Sequence, residues 1–265
     1  MEARINMKLF AIKTVIVKTG DDLVQIILDS LKAQGLQLED KDVLALTSKI
    51  VSHAQGRLVK LSKVKPSEKA KRFAQKFSLK PEFAELVLRE ADRIYGGVDK
   101  AVLTLKDSVL APNAGVDNKN APEDSAILWP VNLKEWIKTF REKIRLETGK
   151  RVGVLVVDSG LVPLRIGTIG LALAVAGFKP IIDRRKDIDL YGKSIVITRH
   201  AVADDLASAA HALMGEATEL VPAVLIRDAP VEFDGVAYAA EDMMMSSREC
   251  LFMGTLSRTP PLKRH

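Results

Sequence analysis

The chain has 265 residues, of which 47% are hydrophobic and 28% are charged, and its formal net charge at pH 7 is +6. This composition predicts a globular protein and excludes a disordered one, while no apolar run approaches the roughly 18 residues that cross a bilayer. The single cysteine, Cys250, excludes an internal disulfide framework and a cysteine-based zinc site. The N-terminal stretch also lacks the apolar core of a signal peptide. We therefore expect a cytoplasmic protein that does not enter a membrane.

The basic charge balance indicates anionic partners. A pI of about 9.3 suits nucleic acid and polyanionic small molecules equally well. Aromatic residues make up only 5% of the chain and the lysines are spread along it, so no basic and aromatic block is available to stack bases. We therefore expect small anionic substrates and no nucleic-acid partner.

The first half of the chain alternates predicted strands with predicted helices. Lys8–Val17 has the pattern of a strand, and Gly20-Asp21-Asp22 begins a helix whose apolar residues recur at helical spacing. Further patterns predict a strand, two helices and a hairpin, in the order Asp42–Thr47, Pro66–Phe77, Pro81–Ile94, and Ala101–Leu105 with Val109–Ala111.

The second half continues the alternation. Leu133–Leu146 is a predicted helix with Gly149 as its end, and Val152–Val157 is the clearest strand of the chain. The last 30 residues are weakly patterned. The remaining predicted elements are two strands around one helix, in the order Ile195–Thr198, Ala203–Met214 and Ala223–Ile226.

This alternation predicts a mixed α/β (α+β) fold, in which helices pack on mixed sheets. We expect a single domain over residues 1–265, built from two subdomains around a cleft. The glycine-rich segment 160–177 could divide the subdomains or line the cleft, and the sequence leaves both alternatives open. The subdomain boundary is therefore expected near residues 150–177.

Two groups of acidic residues are candidates for a metal site. The strand at Val152–Val157 ends on Asp158, and a carboxylate at a strand end faces a crevice at the sheet edge. Asp204 and Asp205 begin a predicted helix further along the chain. Glycines and basic residues between the two groups suggest a divalent metal together with phosphate. The alternative for each group is a turn or a helix cap.

Two polar segments are candidates for phosphate binding, although the chain contains neither GxxxxGK[ST] nor a strand-linked GxGxxG. Residues 48–57 follow a strand and carry hydroxyls, a lysine and an arginine, which could hold phosphates or form a polar loop. Residues 113–120 are rich in Asn, Asp and Gly, which form turns and also present backbone N–H groups to anions.

Several of these segments, in this order, resemble the coenzyme F420-0:γ-glutamyl ligase family. The resemblance extends from about residue 8 to residue 233. It is carried by TGDDL (19–23), DVLALTSKIVSHAQGR (42–57), NAGVDNKN (113–120), the strand into Asp158-Ser159, DLYGK (189–193), AVADDLASAAHALMGE (201–216) and PAVLIRD (222–228).

The resemblance implies a ligase that uses GTP and a divalent cation, Mg²⁺ or Mn²⁺, with K⁺ as a candidate additional ion. It implies transfer of the γ-phosphoryl group to the carboxylate of F420-0, followed by attack of L-glutamate on the acyl phosphate. A homodimer is also implied. All of these substrates are anions, so cations must neutralise them before they can meet, and the basic pI agrees with this requirement.

The resemblance also implies roles for individual residues. Asp158 is the strand-end metal ligand and catalytic acid, with Asp204 and Asp205 in the position of the family's Ala-Asp-Glu pair. Arg165 is a catalytic residue that could bind a carboxylate or phosphate. The residues implied to bind the nucleotide are Thr14, Val15, Ile16, Val17, Ser48, Lys49, His53, Asn113 and Asp117.

One departure from the family pattern leaves the acceptor open. Leu161-Val162 replaces the usual Gly-Arg pair, and an apolar residue cannot replace the bidentate grip of an arginine. The segment PLRIGT (163–168) resembles relatives that look like folate γ-glutamylating enzymes. F420-0 is the first hypothesis, a folate the second, and a non-catalytic nucleotide-binding relative the third. The retained acids argue against the third.

Overall fold

The computed structural model describes residues 6–256, and the first five residues and the end of the weakly patterned tail lie outside this range. Between residues 6 and 256 the chain forms thirteen strands and eight α-helices. The strands are β1 (Lys8–Ile12), β2 (Val43–Thr47), β3 (Leu58–Lys60), β4 (Arg93–Val98), β5 (Ala101–Lys106), β6 (Val109–Pro112), β7 (Ser125–Ile127), β8 (Gly153–Gly160), β9 (Ile169–Phe178), β10 (Ile182–Asp183), β11 (Arg199–His200), β12 (Ala223–Arg227) and β13 (Phe233–Ala239). The helices are α1 (Leu23–Ala33), α2 (Ser48–Ala54), α3 (Glu68–Phe77), α4 (Pro81–Glu90), α5 (Leu133–Thr148), α6 (Val202–Met214), α7 (Ala240–Met243) and α8 (Leu251–Leu256).

A six-stranded mixed sheet forms the centre of the fold, in the order β1-β12-β2-β8-β9-β13. Only β2 and β8 pair in parallel, and the other neighbours in this sheet are antiparallel. The central strands are apolar on both faces because helices cover both sides of the sheet. The predicted mixed α/β fold is confirmed.

Alternation along the strands creates a hydrophobic core on each face of this sheet. Leu44 and Val156 belong to the core beneath α1 and α5, which also contains Ile137. Their neighbours Ala45 and Leu155 belong to the opposite core, which packs against α6. No helix between residues 6 and 256 is long and apolar enough to span a membrane.

A smaller core lies within the segment between β2 and α5. It joins α4 to the turn after β6, and its buried residues include Phe83, Val87, Ala114 and Leu128. The stretch 150–177, where the subdomain boundary is expected, contains β8 and most of β9, which pair with each other in the main sheet. Whether the main sheet with its two cores and the segment with this smaller core behave as two subdomains stays a prediction.

Four sequence predictions were wrong in their details. β1 ends at Ile12 rather than Val17, because the backbone of Lys13 bonds to the side chain of Gln34 instead of a strand. The predicted helix to Ile94 ends at Glu90, and the chain continues as β4. Ile195–Thr198 is not a strand, since the short pairing falls on Arg199–His200.

The fourth correction concerns residues 48–57, for which a polar loop was one alternative. Residues 48–54 form α2, and the side chain of Thr47 accepts a hydrogen bond from the backbone N–H of Ile50 at 3.4 Å. A threonine in this position satisfies one of the free N–H groups of the first turn. The helix therefore begins directly at the end of β2 and holds its side chains rigidly.

Close contact between β9 and α6 depends on Gly170. A Cβ added to Gly170 would lie 2.2 Å from the backbone oxygen of Ala207. The Ser208 hydroxyl also donates to the carbonyl of Gly170 at 2.9 Å, which fixes the helix on the strand. Backbone atoms meet here, so the contact cannot relax by rotation of a side chain.

We expect Gly170→Ala to destabilise the fold by about 1–3 kcal/mol, the usual cost of overpacking. Gly235→Ala is the matched control, because a Cβ at Gly235 would meet nothing within 4 Å. Urea unfolding of the two variants measures the difference. Equal midpoints would contradict close packing of β9 on α6.

Candidate functional site

A cavity of about 600 Å³ opens where β2 and β8 end. Its walls include the chain after β1, one face of α2, the end of β8 and the segment that follows α6. The lining residues fall within the ranges 14–17, 47–53, 120–122, 157–159 and 211–222. Parts of the chain that are distant in sequence thus meet at one edge of the main sheet.

Asp158 reaches the cavity from the end of β8. Its preceding residue, Val157, packs in the core against α6, so alternation directs Asp158 to the other face. There the indole N–H of Trp129 donates to Oδ2 of Asp158. Burial raises the pKa of Asp158, and hydrogen bonds from the Ser159 backbone, Trp129 and Ser48 partly oppose this rise.

Helix α2 presents Lys49 and His53 to the cavity, one turn apart. The Lys49 Nζ lies 2.7 Å from Asp117 Oδ2 and donates to the carbonyl oxygen of Lys119 at 3.2 Å. Burial lowers the pKa of His53, a hydrogen bond with the Asn120 backbone acts against this, and Lys49 lowers it further. Burial therefore favours the neutral form of His53, and the ion pair with Asp117 is made by Lys49.

Glu216, just after α6, is the most highly connected carboxylate at the cavity. Its Oε1 accepts hydrogen bonds from Thr168 at 2.6 Å and Ser159 at 2.8 Å, and lies 2.9 Å from His211 Nε2. Its Oε2 lies 3.1 Å from the Nζ of Lys119. Burial acts to raise the pKa of Glu216, but these hydrogen bonds outweigh it and lower the pKa to about 2.

Asp117, Asp158 and Glu216, called here the carboxylate cluster, converge on Lys119. The hydrogen bond to Glu216 is the main cause of a raised pKa of Lys119, although burial opposes it, and the charges of Asp117 and Asp158 add to the rise. Three acids that lie far apart in the sequence are thus brought together around lysine ammonium groups. Such an arrangement suits a reaction between anions.

Asp204 and Asp205 lie in the first turn of α6, and their contacts differ from those of this cluster. Asp204 lies about 15 Å from Met214 along the helix axis, and neither acid lines the cavity. Asp204 Oδ1 accepts the backbone N–H of Ala172 at 3.0 Å, whereas Asp205 pairs with His200. Burial raises the pKa of Asp204, opposed by the bond from Ala172 and helped by the charge of Asp205. Their predicted metal role gains no support from these contacts.

The other predicted residues divide between the cavity and its surroundings. Residues 14–17 line the cavity as an extended segment, with large exposed apolar side chains at Val15 and Ile16. Ser48 is buried and contacts Asp158 instead of the cavity. Asn113 accepts the backbone N–H of Val102 at 2.9 Å and stabilises a turn, and Arg165 lies on an exposed loop.

Four residues of the site were missed by the sequence predictions, namely Lys119, Ser159, His211 and Glu216. Each belongs to a segment that carries the family resemblance, but none of the four was predicted as a site residue. Their contacts join parts of the chain up to 97 residues apart, as in the pair of Lys119 with Glu216. No local pattern reports a contact of that range.

The implied divalent cation can be tested against these side chains. Between residues 6 and 256, no group of three or more His, Cys, Asp or Glu side chains is arranged to hold a metal ion as it stands. The carboxylate cluster nevertheless offers oxygen atoms from three acids, with the Ser159 hydroxyl beside them, which are the donors that Mg²⁺ and Mn²⁺ prefer. The chemistry of the donors therefore suits the ion, while their arrangement is not that of a formed metal site.

Comparison with known proteins gives a family match over most of the chain. The family model described as F420-0:Gamma-glutamyl ligase matches residues 11–228, a range that contains every residue of the cavity wall. The chain is 37% identical over 237 residues to the coenzyme F420:L-glutamate ligase of Methanopyrus kandleri, covering 88% of this chain and 92% of that protein.

Two further relatives carry the same name. The protein of Methanothermobacter thermautotrophicus is 36% identical over 216 residues, covering 81% of this chain and 86% of the relative. The protein of Archaeoglobus fulgidus is 33% identical over 243 residues, covering 92% of this chain and 94% of the relative. The similarity therefore spans nearly the full length of these ligases.

The lowered pKa of Glu216 generates a pH prediction. Its folded value is about 2 against an ordinary 4.5, so the carboxylate stabilises the fold above pH 4.5 and loses this contribution as the pH falls towards 2. We expect Glu216→Gln to lower the Tm at pH 7 by about 2–4 °C, which corresponds to about 1 kcal/mol. The difference from wild type should shrink below pH 4.5.

Thermal unfolding between pH 3.5 and 8 measures this effect. Glu147→Gln is the control, because Glu147 is exposed on α5 and does not line the cavity. A Tm difference for Glu216→Gln that stays constant across the pH range would mean that the carboxylate is not held in its charged form by these partners.

Proposed function

The chain belongs to the F420-0:gamma-glutamyl ligase family, and from this premise we propose that it joins L-glutamate to coenzyme F420-0 in a GTP-dependent reaction. The observation that carries the proposal is a cavity lined by Lys49, Asp158 and Glu216, in which Lys49 pairs with Asp117 and Glu216 pairs with Lys119. A ligase for three anionic substrates needs such a concentration of cationic groups and metal-binding oxygens.

The nucleotide is proposed to bind in the cavity, between the 14–17 segment and α2. Val15 and Ile16 expose apolar side chains on the wall, which suits the faces of a purine base. Lys49 lies on the same cavity and is placed to contact phosphate oxygens. Burial favours the neutral form of His53, which offers a hydrogen-bonding nitrogen rather than a second charge.

The divalent cation is proposed to bind at the carboxylate cluster. Asp117, Asp158 and Glu216 would hold it, with the Ser159 hydroxyl as a further oxygen donor. A bound Mg²⁺ or Mn²⁺ supplies charge neutralisation for the phosphates and orientation of the transferred group. Asp204 and Asp205 are not part of this proposal, because they neither line the cavity nor pair with Lys49, as Asp117 does, but bond to Ala172 and His200 instead.

The reaction is proposed to proceed in two transfers. A carboxylate oxygen of the acceptor attacks the γ-phosphorus of GTP, GDP leaves, and an acyl phosphate forms. The amine of L-glutamate then attacks the acyl carbon, phosphate leaves with one acceptor oxygen, and a proton is released as the amide forms. The role of Lys49 and Lys119 is to neutralise the anions while these groups approach each other.

The acceptor is tested by direct comparison, since the loop at Leu161-Val162 still favours folate as an alternative. The purified protein is incubated with GTP, Mg²⁺ and L-glutamate together with F420-0 or tetrahydrofolate. The masses of the products are then measured by mass spectrometry. We expect F420-0 to gain one or more glutamates. Faster glutamylation of tetrahydrofolate would overturn the acceptor, and no product with either would favour a non-catalytic relative.

Lys49→Ala should weaken GTP binding by about 1–3 kcal/mol, because it removes a charge-assisted contact to phosphate. Calorimetric titration with GTP measures the change. Lys143→Ala serves as the control, since Lys143 is exposed on α5 and does not line the cavity. If Lys49→Ala binds GTP as tightly as the control, Lys49 does not contact the nucleotide.

A homodimer is also proposed, with its interface on two loops that expose apolar side chains. Leu164 and Ile166 are fully exposed in the loop between β8 and β9. Leu164 also has a left-handed backbone with φ 61°, which is uncommon for leucine. The segment between β10 and β11 exposes further large apolar residues, namely Ile188, Leu190, Tyr191, Val196 and Ile197. Apolar patches of this kind mark interaction surfaces.

The double variant Leu164→Asp with Ile166→Asp should convert the dimer to a monomer, because two charges cannot be buried unpaired at an interface. Light scattering coupled to size-exclusion chromatography measures the mass. Leu146→Asp is the control, since Leu146 is an isolated exposed leucine on α5. A wild-type monomer, or a dimer that survives the double change, would contradict this interface.

A further inference from the structure

We infer that Trp129 is a positioning residue of the ligase reaction, which orients the Asp158 carboxylate towards the cavity through its indole N–H. The inference rests on the proposed function, because Asp158 is one of the acids proposed to bind the divalent cation. The indole N–H of Trp129 donates to Asp158 Oδ2. Trp129 itself is only 7% exposed, so this contact is made inside the protein.

The backbone of Trp129 is held by Arg57. The Arg57 Nε donates to the carbonyl oxygen of Trp129 at 3.0 Å, and the N–H of Leu128 donates to the carbonyl of Arg57 at 2.9 Å. The guanidinium of Arg57 also pairs with Glu90 at 3.0 Å. Arg57 therefore fixes the position of Trp129 relative to the end of α4.

The indole ring is held by Gly115. A Cβ at Gly115 would lie 2.4 Å from three atoms of the Trp129 ring, so the ring lies directly against the glycine backbone. Gly115 has a left-handed φ of 70°, which glycine adopts without strain. The turn around it is fixed by the Thr104 hydroxyl, which accepts the N–H of Ala114 at 2.8 Å.

The chemistry of the indole suits this role. Its nitrogen is a donor only and carries no charge, so it engages one carboxylate oxygen without neutralising the acid. An ammonium group in the same place would compete with a bound cation for Asp158. Together with the hydrogen bonds from Ser48 and the Ser159 backbone, the buried ring fixes the orientation in which Asp158 lines the cavity. Partners of this kind typically change activity or metal affinity by about 10–100-fold.

Trp129→Phe removes the N–H and keeps most of the ring. We expect kcat to fall by about 10–100-fold and Mn²⁺ affinity, measured by electron paramagnetic resonance without nucleotide, to fall by about tenfold or more. The KM for GTP should change by less than about threefold, because Lys49 and the 14–17 wall are untouched. Trp136→Phe is the control, since Trp136 stacks on Phe140 and does not line the cavity.

A purely structural role would lower the Tm of Trp129→Phe and leave kcat and Mn²⁺ affinity within about twofold of wild type, and this result would overturn the inference. If Trp129→Phe does not fold, Trp136→Phe provides the test, because Trp129 is then the remaining tryptophan of the chain. Saturating Mn²⁺ should quench its fluorescence more than Mg²⁺ does. Unchanged emission would overturn the inference as well.

These readouts separate the inference from the proposed function. A wild-type protein that glutamylates no acceptor contradicts the ligase proposal, while the Mn²⁺ affinities of wild type and Trp129→Phe still decide whether Trp129 acts on Asp158. Conversely, an active ligase whose Trp129→Phe variant keeps its kcat and Mn²⁺ affinity contradicts the inference alone.

Discussion

Asp158 and Glu216 line one cavity and Asp117 pairs with Lys49 on its wall, and the structure of the site depends on how the repulsion among these three carboxylates is balanced. Glu216 pairs with Lys119, the charges of Asp117 and Asp158 also favour the charged form of Lys119, and Lys49 pairs with Asp117. Acids that share a site cannot all stay ionised unless cations lie between them. The same groups meet the needs of a reaction whose substrates are all anions, since negative charge must be neutralised before phosphate and carboxylate can approach.

The fold brings these groups together by ending several elements at one sheet edge. Asp158 ends the buried part of β8, Lys49 lies in the first turn of the helix that follows β2, and Glu216 follows α6. The parallel pairing of β2 with β8 places the first two side by side. The chain segment between β2 and α5 adds Asp117, which pairs with Lys49, and the ring of Trp129, which packs in the main core and bonds to Asp158.

Much of the fold was predictable because its helices and central strands have clear periodicity. The helix ending at Gly149 and the strand into Asp158 follow their predicted patterns closely. The apolar content of Ile195–Thr198 predicted a strand, but this segment does not form one, and the side chains of Val196 and Ile197 are exposed. Strand formation there depends on a partner, which the local sequence does not specify.

The site was only partly predictable, for a geometric reason. Lys49, His53 and residues 14–17 line the cavity as expected, because they follow strands that end at its edge. Asp204 was expected beside Asp158, but it does not line the cavity, whereas residues of the last turn of α6 and Glu216 beyond it do. Crystals with Mn²⁺ and a non-hydrolysable GTP analogue test this account most directly, through the anomalous signal of manganese. The account predicts a peak among Asp117, Asp158 and Glu216, and a peak at Asp204 and Asp205 instead would contradict it.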